Sequence, residues 1–213
     1  APPLRPTRRA EHTLPMPIPL PAHLAGQEWT PDRVQNELVR EDQHWPRYEL
    51  IDGELLVSPA PRPIHQIAVG DLLVVLLPYV AAQRLGRVLT SPADIRLGTR
   101  TTTQPDVFVV PRNSGFDGRT WDSIQKLSLT VEVLSERTAG NDRLKKREFY
   151  MRRGVPEYWV VDVDAEVFEV SRPSDPRVEL YGRELRWHPP GAAEPLVIDV
   201  PAYFARLYDG IER

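Results

Sequence analysis

Residues 127–134 show the clearest periodicity in the chain. Leu127, Leu129, Val131 and Val133 alternate with Ser128, Thr130, Glu132 and Leu134, a period of two that predicts a strand. Similar apolar stretches predict strands at about 87–90, 93–97, 105–110 and 158–162. Two further runs, 48–51 and 54–57, flank Asp52-Gly53, the pairing that a tight hairpin turn favours. Val167 to Val170 begins another hairpin with the weakly alternating 178–187 as its return strand, and Val197 to Val200 gives a last short strand. Helices have different signals. Thr30 as N-cap and Pro31 at the first position open one over about 31–40, with Val34, Leu38 and Val39 inward. A long apolar helix follows from Ile64 to Arg84, with Ile67, Leu72, Val75, Leu76 and Val80 as core candidates. Residues 139–153 predict a third helix, stopped by Gly154, and Pro201 to Tyr208 a closing one. This order describes an α/β (α+β) chain: a mixed β-sheet flanked by helices, with added β-hairpins.

Composition places limits on that picture. Seven of the 23 prolines fall within the first 21 residues, and 1–25 has no period of either kind. We therefore expect a flexible Pro-rich arm over 1–25 and a single domain over 26–213. The arm has arginines but no continuous apolar stretch, which argues against a secretory signal. The longest apolar run, Leu72 to Val80, is short and contains Pro78, so the sequence reads as soluble with no membrane span. The absence of cysteine excludes disulfides, zinc thiolate sites and a thiol nucleophile, and fits a cytoplasmic location. A net charge of −3 excludes a strong global attraction to nucleic acid, so any such contact needs a local basic patch.

Acids inside apolar strands carry the candidate chemistry. Asp106 follows Pro105 at the mouth of one strand and shares a face with Phe108 and Val110; Glu132 lies within another. Burying a carboxylate is costly unless it is compensated, and a divalent cation is one compensator. The bland role for Glu132 is a buried ion pair with Arg143 or Lys146. On the third helix, Asp142, Lys146, Phe149, Tyr150 and Arg153 fall in about one 100° sector, while Lys145 points away. Lys146 is thus the lysine placed to meet the two acids. Asp106 and Glu132 holding Mg²⁺ or Mn²⁺, with Lys146 beside them, would suit hydrolysis of a phosphodiester bond. Glu54, His65 and Tyr150 are secondary candidates. Arg143, Lys145 and Arg147 form a patch that could meet phosphates, although a solvated helix face is the default.

Taken in order, these residues resemble the Uma2 (DUF820) family, within the PD-(D/E)XK restriction-endonuclease-like superfamily. The resemblance runs from about Tyr48 to Val170. It rests on Tyr48-Glu49-Leu50-Ile51-Asp52-Gly53-Glu54, Ser58-Pro59 with His65, Pro105-Asp106-Val107, Val131-Glu132-Val133-Leu134-Ser135, Asp142-xxx-Lys146-xxx-Tyr150 and Gly154-Val155-Pro156-Glu157-Tyr158-Trp159. It implies a Mg²⁺-dependent nuclease core in which Asp106 and Glu132 are metal ligands, acting on nucleic acid, DNA above all. The superfamily pattern expects lysine two residues after the glutamate; Leu134 stands there, and the resemblance moves the lysine to Lys146. A nuclease fold that binds nucleic acid or a partner without cutting is the alternative, and a structural role a third. A homodimer would suit a two-strand cutter.

Overall fold

The computed structural model describes residues 20–211, apart from 41, 43, 44 and 136–138. Two sheets position everything that matters for the site. The first has the order β2-β1-β5-β4, all antiparallel, from β1 (Arg47–Ile51), β2 (Glu54–Ser58), β4 (Ile95–Arg96) and β5 (Thr102–Thr103). The second has six strands in the order β10-β9-β8-β7-β6-β3. These are β3 (Gly86–Thr90), β6 (Val107–Pro111), β7 (Leu129–Val133), β8 (Tyr158–Asp162), β9 (Val167–Arg172) and β10 (Asp175–Tyr181). Only β7 and β8 pair in parallel, so the sheet is mixed. Their connection carries a helical segment, as a parallel crossover requires.

Both faces of this sheet are covered, and the strand periodicity divides its residues between two cores. Val107, Val109, Leu129, Val131, Val133, Trp159 and Val161 face α2 (Pro63–Ala82) and α4 (Val200–Leu207). Phe108, Val110, Leu134, Tyr158 and Val160 face the other way, with Phe149 and Tyr150 of α3 (Arg147–Arg152). β7 is therefore buried along its whole length. An acid in such a strand is enclosed whichever face it takes. Leu127 departs from the expected face: it precedes the first paired residue and joins the second core.

Several expectations need adjusting. The helix at 139–153 is a wide π-helical stretch over Asn141–Lys146 that tightens into α3. Asn141, Asp142, Lys146, Phe149 and Tyr150 point inward, but Arg153 is exposed, because it caps α3 just before the left-handed Gly154. The return strand at 178–187 is two strands. β10 pairs with β9, whereas β11 (Glu184–Trp187) turns away to pair with β12 (Leu196–Asp199). The first helix, α1 (Pro31–Glu37), is shorter than expected, is capped by Thr30, and leaves Val39 exposed. Of the expected arm, residues 1–19 lie outside the described residues. The last part is folded: Leu20 and Leu24 pack with Trp29, Val34, Leu50 and Leu55.

α2 is long and apolar enough to cross a membrane by length and composition, which counting uninterrupted runs does not detect. Its Ala68, Leu72, Leu76 and Val80 are instead laid on the sheet. α4 closes the same core, and Asp199 caps it by accepting a 2.9 Å hydrogen bond from the Ala202 amide. Asp199→Ala should cost about 1 kcal/mol in urea unfolding with m unchanged.

Candidate active site

Asp106 is held by its backbone before its side chain makes any contact. Its carbonyl accepts from the Thr90 hydroxyl at 2.6 Å and the Ser91 amide at 3.3 Å, while the Ser91 hydroxyl bonds the carbonyls of Gln104 and Pro105. The register of β6 on β7 pairs Val107 with Val131, so one step further sets Asp106 opposite Glu132. Directly opposite side chains are neighbours, with Cβ atoms about 5 Å apart. Asp106 Oδ2 accepts from the Val133 amide at 2.9 Å and from His65 Nε2 at 3.0 Å. Arg47 Nη1 lies 3.5 Å from Oδ1 and stacks on Trp45.

Lys146 comes from the π-helical stretch and reaches the same cavity. Its Nζ lies 2.7 Å from Glu49 Oε2, 3.1 Å from Glu132 Oε1 and 3.4 Å from Asp142 Oδ1. All four side chains are at most 5% exposed. A π-turn widens the helix locally and recurs at functional sites. Here it spans both Asp142 and Lys146, directing them into the sheet.

Glu49 was not expected to act. It belongs to β1, in the first sheet, and reaches across to the second. Oε1 accepts from Thr103 Oγ1 at 3.1 Å and from the Gln104 amide at 2.9 Å. The Thr103 hydroxyl has one proton and donates it to Glu49, so the Tyr150 hydroxyl, 2.6 Å away, donates to Thr103. Tyr150 thereby steadies Glu49 at one remove. The signal for Glu49 was present in the sequence: an acid between Tyr48 and Leu50 in a strand, the same pattern that marked Glu132. Asp142 was marked by its helical sector with Lys146, whereas Arg47 carried no comparable signal.

The electrostatics are unequal. Glu49, Asp106, Glu132 and Asp142 face two fixed cations, Lys146 and Arg47. Burial is the largest influence on Glu132 and pushes its carboxyl well above the usual range. Lys146 pulls it down, but Asp106, Asp142 and Glu49 add to the push. Burial also acts against charge on Asp106, yet His65, the Val133 amide and Lys146 outweigh it and hold that carboxyl below its usual value. Burial penalises the Lys146 ammonium, but Glu132, Glu49 and Asp142 raise its pKa well above the ordinary value. Asp106 is thus the ionised acid, and His65 Nε2 carries the proton between them. His65 Nδ1 has no hydrogen-bond partner among the described residues.

A pH prediction follows from Asp106. Its folded pKa is depressed, so its stabilising effect is present above the unfolded carboxylate value of about 3.9 and is lost as pH falls through the folded value. Asp106→Asn should therefore lower the urea midpoint at pH 7, and the gap from wild type should narrow as pH falls below about 4.

The remaining candidates lie elsewhere. Glu54 is exposed and pairs with Lys145 outside the cavity. Arg143 bridges Asp162 and Glu169, and Arg147 bonds the Ser171 hydroxyl and the Pro176 carbonyl. Strands of the two sheets thus engage all three basic candidates on this helical segment.

Hard carboxylate oxygens line a cavity of about 40 Å³, and oxygens of this kind suit a magnesium ion, which one or two carboxylates can hold. No three His, Asp or Glu side chains converge as a ready-made metal cage among the described residues, where Lys146 stands between three of the acids. Glu132 meets Lys146 through Oε1. The excess of acids over cations in the cavity fits a divalent ion on Asp106 and Glu132.

A mixed sheet with an acid pair and a lysine at one end defines a restriction-endonuclease-like protein. Residues 34–199 match the Uma2 family, described as "Putative restriction endonuclease", and the chain belongs to that family. A solved structure from Anabaena variabilis, described as a "putative nuclease belonging to DUF820", has the same fold at a TM-score of 0.63 and 22% identity. The match covers 76% of this chain and 92% of that one. No curated protein sequence matches the chain. Family and fold together point to a restriction-endonuclease-like nuclease.

Proposed function

We propose that the chain is a Mg²⁺- or Mn²⁺-dependent endonuclease that hydrolyses phosphodiester bonds, with DNA as its substrate. The observation that carries this reading is the convergence of Lys146 on Glu132 beside Asp106, from a helix rather than from the strand position held by Leu134. Asp106 and Glu132 would hold the divalent ion, which supplies polarisation of the scissile phosphate and of an attacking water. Each neighbour has a definable task. His65 and the Val133 amide fix the rotamer of Asp106. Glu49 and Asp142 keep Lys146 charged and aimed, so that its ammonium meets negative charge developing on the phosphate. Arg47, at the edge of the cavity, can engage an adjoining phosphate oxygen.

A binding module that does not cut is the second reading. It is favoured by how completely the three carboxylates already compensate Lys146. Incubating supercoiled plasmid, single-stranded DNA and RNA with Mg²⁺ or Mn²⁺ separates the two. Cleavage by wild type and its loss in Glu132→Gln support the nuclease. Binding without cleavage under every condition supports the module, and cleavage of RNA alone would replace DNA as substrate.

A further inference from the structure

An acid-rich cavity repels a polyanion, so the affinity for nucleic acid has to come from elsewhere on the molecule. The cations near the cavity are engaged: Arg143, Lys145 and Arg147 are all bonded to the protein itself. At the opposite end of β3 and β6 the situation is reversed. There Arg84, Arg87 and Arg112 line a groove of about 610 Å³ with Gly86, Phe116 and Gly118. All three arginines are exposed, and none has a side-chain hydrogen bond or ion pair among the described residues. Arg33, Arg62, Arg96, Arg172 and Arg177, by contrast, each have a carboxylate partner.

Local backbone geometry builds this groove. Arg84 follows α2 at φ 54, a left-handed position that glycine or asparagine fills more cheaply. Helix termination alone does not call for an arginine at that position. Gly86 pairs with Pro111 so closely that an added Cβ would lie 2.0 Å from the Val110 carbonyl oxygen. That approach, with the 2.9 Å bond from the Arg112 amide to the Leu85 carbonyl, brings Arg112 beside Arg84 and Arg87. Asp117 is the acid among the lining residues, and its oxygens are turned into its own loop. They accept from the Arg119 and Thr120 amides and the Ser123 hydroxyl, which hold its carboxyl down at about 2. A neighbouring hollow of about 400 Å³ shares Pro111 with the groove and adds Lys126 and Arg153, again without ion pairs among the described residues.

We infer that the Arg84–Arg87–Arg112 groove is a second nucleic-acid contact, gripping the phosphate backbone of the strand whose scissile bond lies at the acid cavity. The inference rests on the nuclease reading for its choice of polyanion. Guanidinium forks suit phosphate oxygens, and three of them in one groove without carboxylate partners among the described residues repel one another until an anion meets them. Geometry permits one strand to reach both places. Four residue steps along β3 lead from Gly86 to Thr90, about 13 Å at strand rise, or about four nucleotides at 3.4 Å each. β3 is the outermost strand of its sheet, so its free edge offers a path between them.

The test measures fluorescence anisotropy of a labelled 25-nucleotide single strand and its duplex, without divalent ions, from 50 to 200 mM salt. The variants are R84Q/R87Q/R112Q, Arg84→Gly and Glu132→Gln. The triple variant should bind duplex at least about 10-fold more weakly, and its log K against log salt slope should shrink by about 2.7, at 0.9 per lost phosphate contact. Arg84→Gly relieves the left-handed residue, so it should melt no lower than wild type while its slope falls by about 0.9. It keeps the test valid if the triple variant fails to fold. Glu132→Gln should bind at least as well as wild type. Unchanged affinity and slope in the arginine variants would overturn the inference. So would tighter binding to polyglutamate than to DNA, which would assign the groove to an acidic protein. Loss of binding in the triple variant of a wild type that never cleaves would support the groove while refuting the nuclease.

Discussion

Lys146→Met is expected to lower stability by about 3–5 kcal/mol at pH 7.5, because it leaves Glu49, Glu132 and Asp142 buried around a vanished cation. Methionine has nearly the length of lysine, so packing against the π-helical stretch is largely kept and the loss is electrostatic. The pH dependence identifies the cause. In wild type the Lys146 pKa is raised, so its contribution is fully present below the unfolded lysine value of about 10.4 and is lost only as pH rises through the folded one. That contribution is flat between pH 5 and 8. Without the ammonium, nothing offsets the burial and neighbouring acids that already raise the Glu132 carboxyl. Such a group stabilises below its unfolded value and loses that effect as pH rises. The variant should therefore recover toward wild type as pH falls from 8 to 5. Urea unfolding across that range, followed by tryptophan fluorescence, measures the difference. Adding Glu49→Gln should restore part of the loss at pH 7.5, since one of the three stranded charges is then removed. Equal midpoints for wild type and Lys146→Met would refute the buried four-residue cluster itself.

Much of this arrangement was legible in the chain because strands advertise their faces. A period of two located Glu132 on the same side as Leu134, and helical phase preferred Lys146 over Lys145. Both placements agree with the geometry, as does the short hairpin around Asp52-Gly53. What the sequence concealed depends on contacts between distant segments. Glu49 enters the site only because the first sheet packs over the second, a tertiary relation no local pattern encodes. Arg153 leaves its sector because it caps α3 ahead of the left-handed Gly154, where the regular helical phase ends. The split of 178–187 into β10 and β11 followed from pairing partners, and weak alternation does not name a partner. The basic candidates on the third helix illustrate the same limit. Their charges are visible in the sequence, but whether Asp162, Glu169 and Glu54 already satisfy them is decided by folding.

Glu132→Gln should abolish cleavage by about 10²–10³-fold while leaving the protein at least as stable as wild type at pH 8. The activity loss corresponds to about 3–4 kcal/mol of transition-state stabilisation, the scale of removing one ligand of a catalytic cation. The stability result comes from the opposite direction. Burial and three neighbouring acids raise the folded pKa of Glu132, so its protonated form is the one the fold favours. A raised carboxyl stabilises below its unfolded value and loses that effect as pH rises through the folded value. At pH 8, above the unfolded carboxyl value, the preference of the fold for a protonated Glu132 no longer adds its full stability, and glutamine is permanently neutral with nearly the same shape. Lys146 still has Glu49 at 2.7 Å and Asp142 at 3.4 Å, so the substitution does not strand the ammonium. The two variants therefore separate what the two residues do: Lys146→Met loses fold and function together, and Glu132→Gln loses function alone. Paired urea titrations and plasmid-nicking rates at pH 8 decide the matter. A Glu132→Gln protein that cuts at the wild-type rate, or unfolds several kcal/mol sooner, would make Glu132 a structural counter-ion to Lys146 and leave the chain without its proposed catalytic acid.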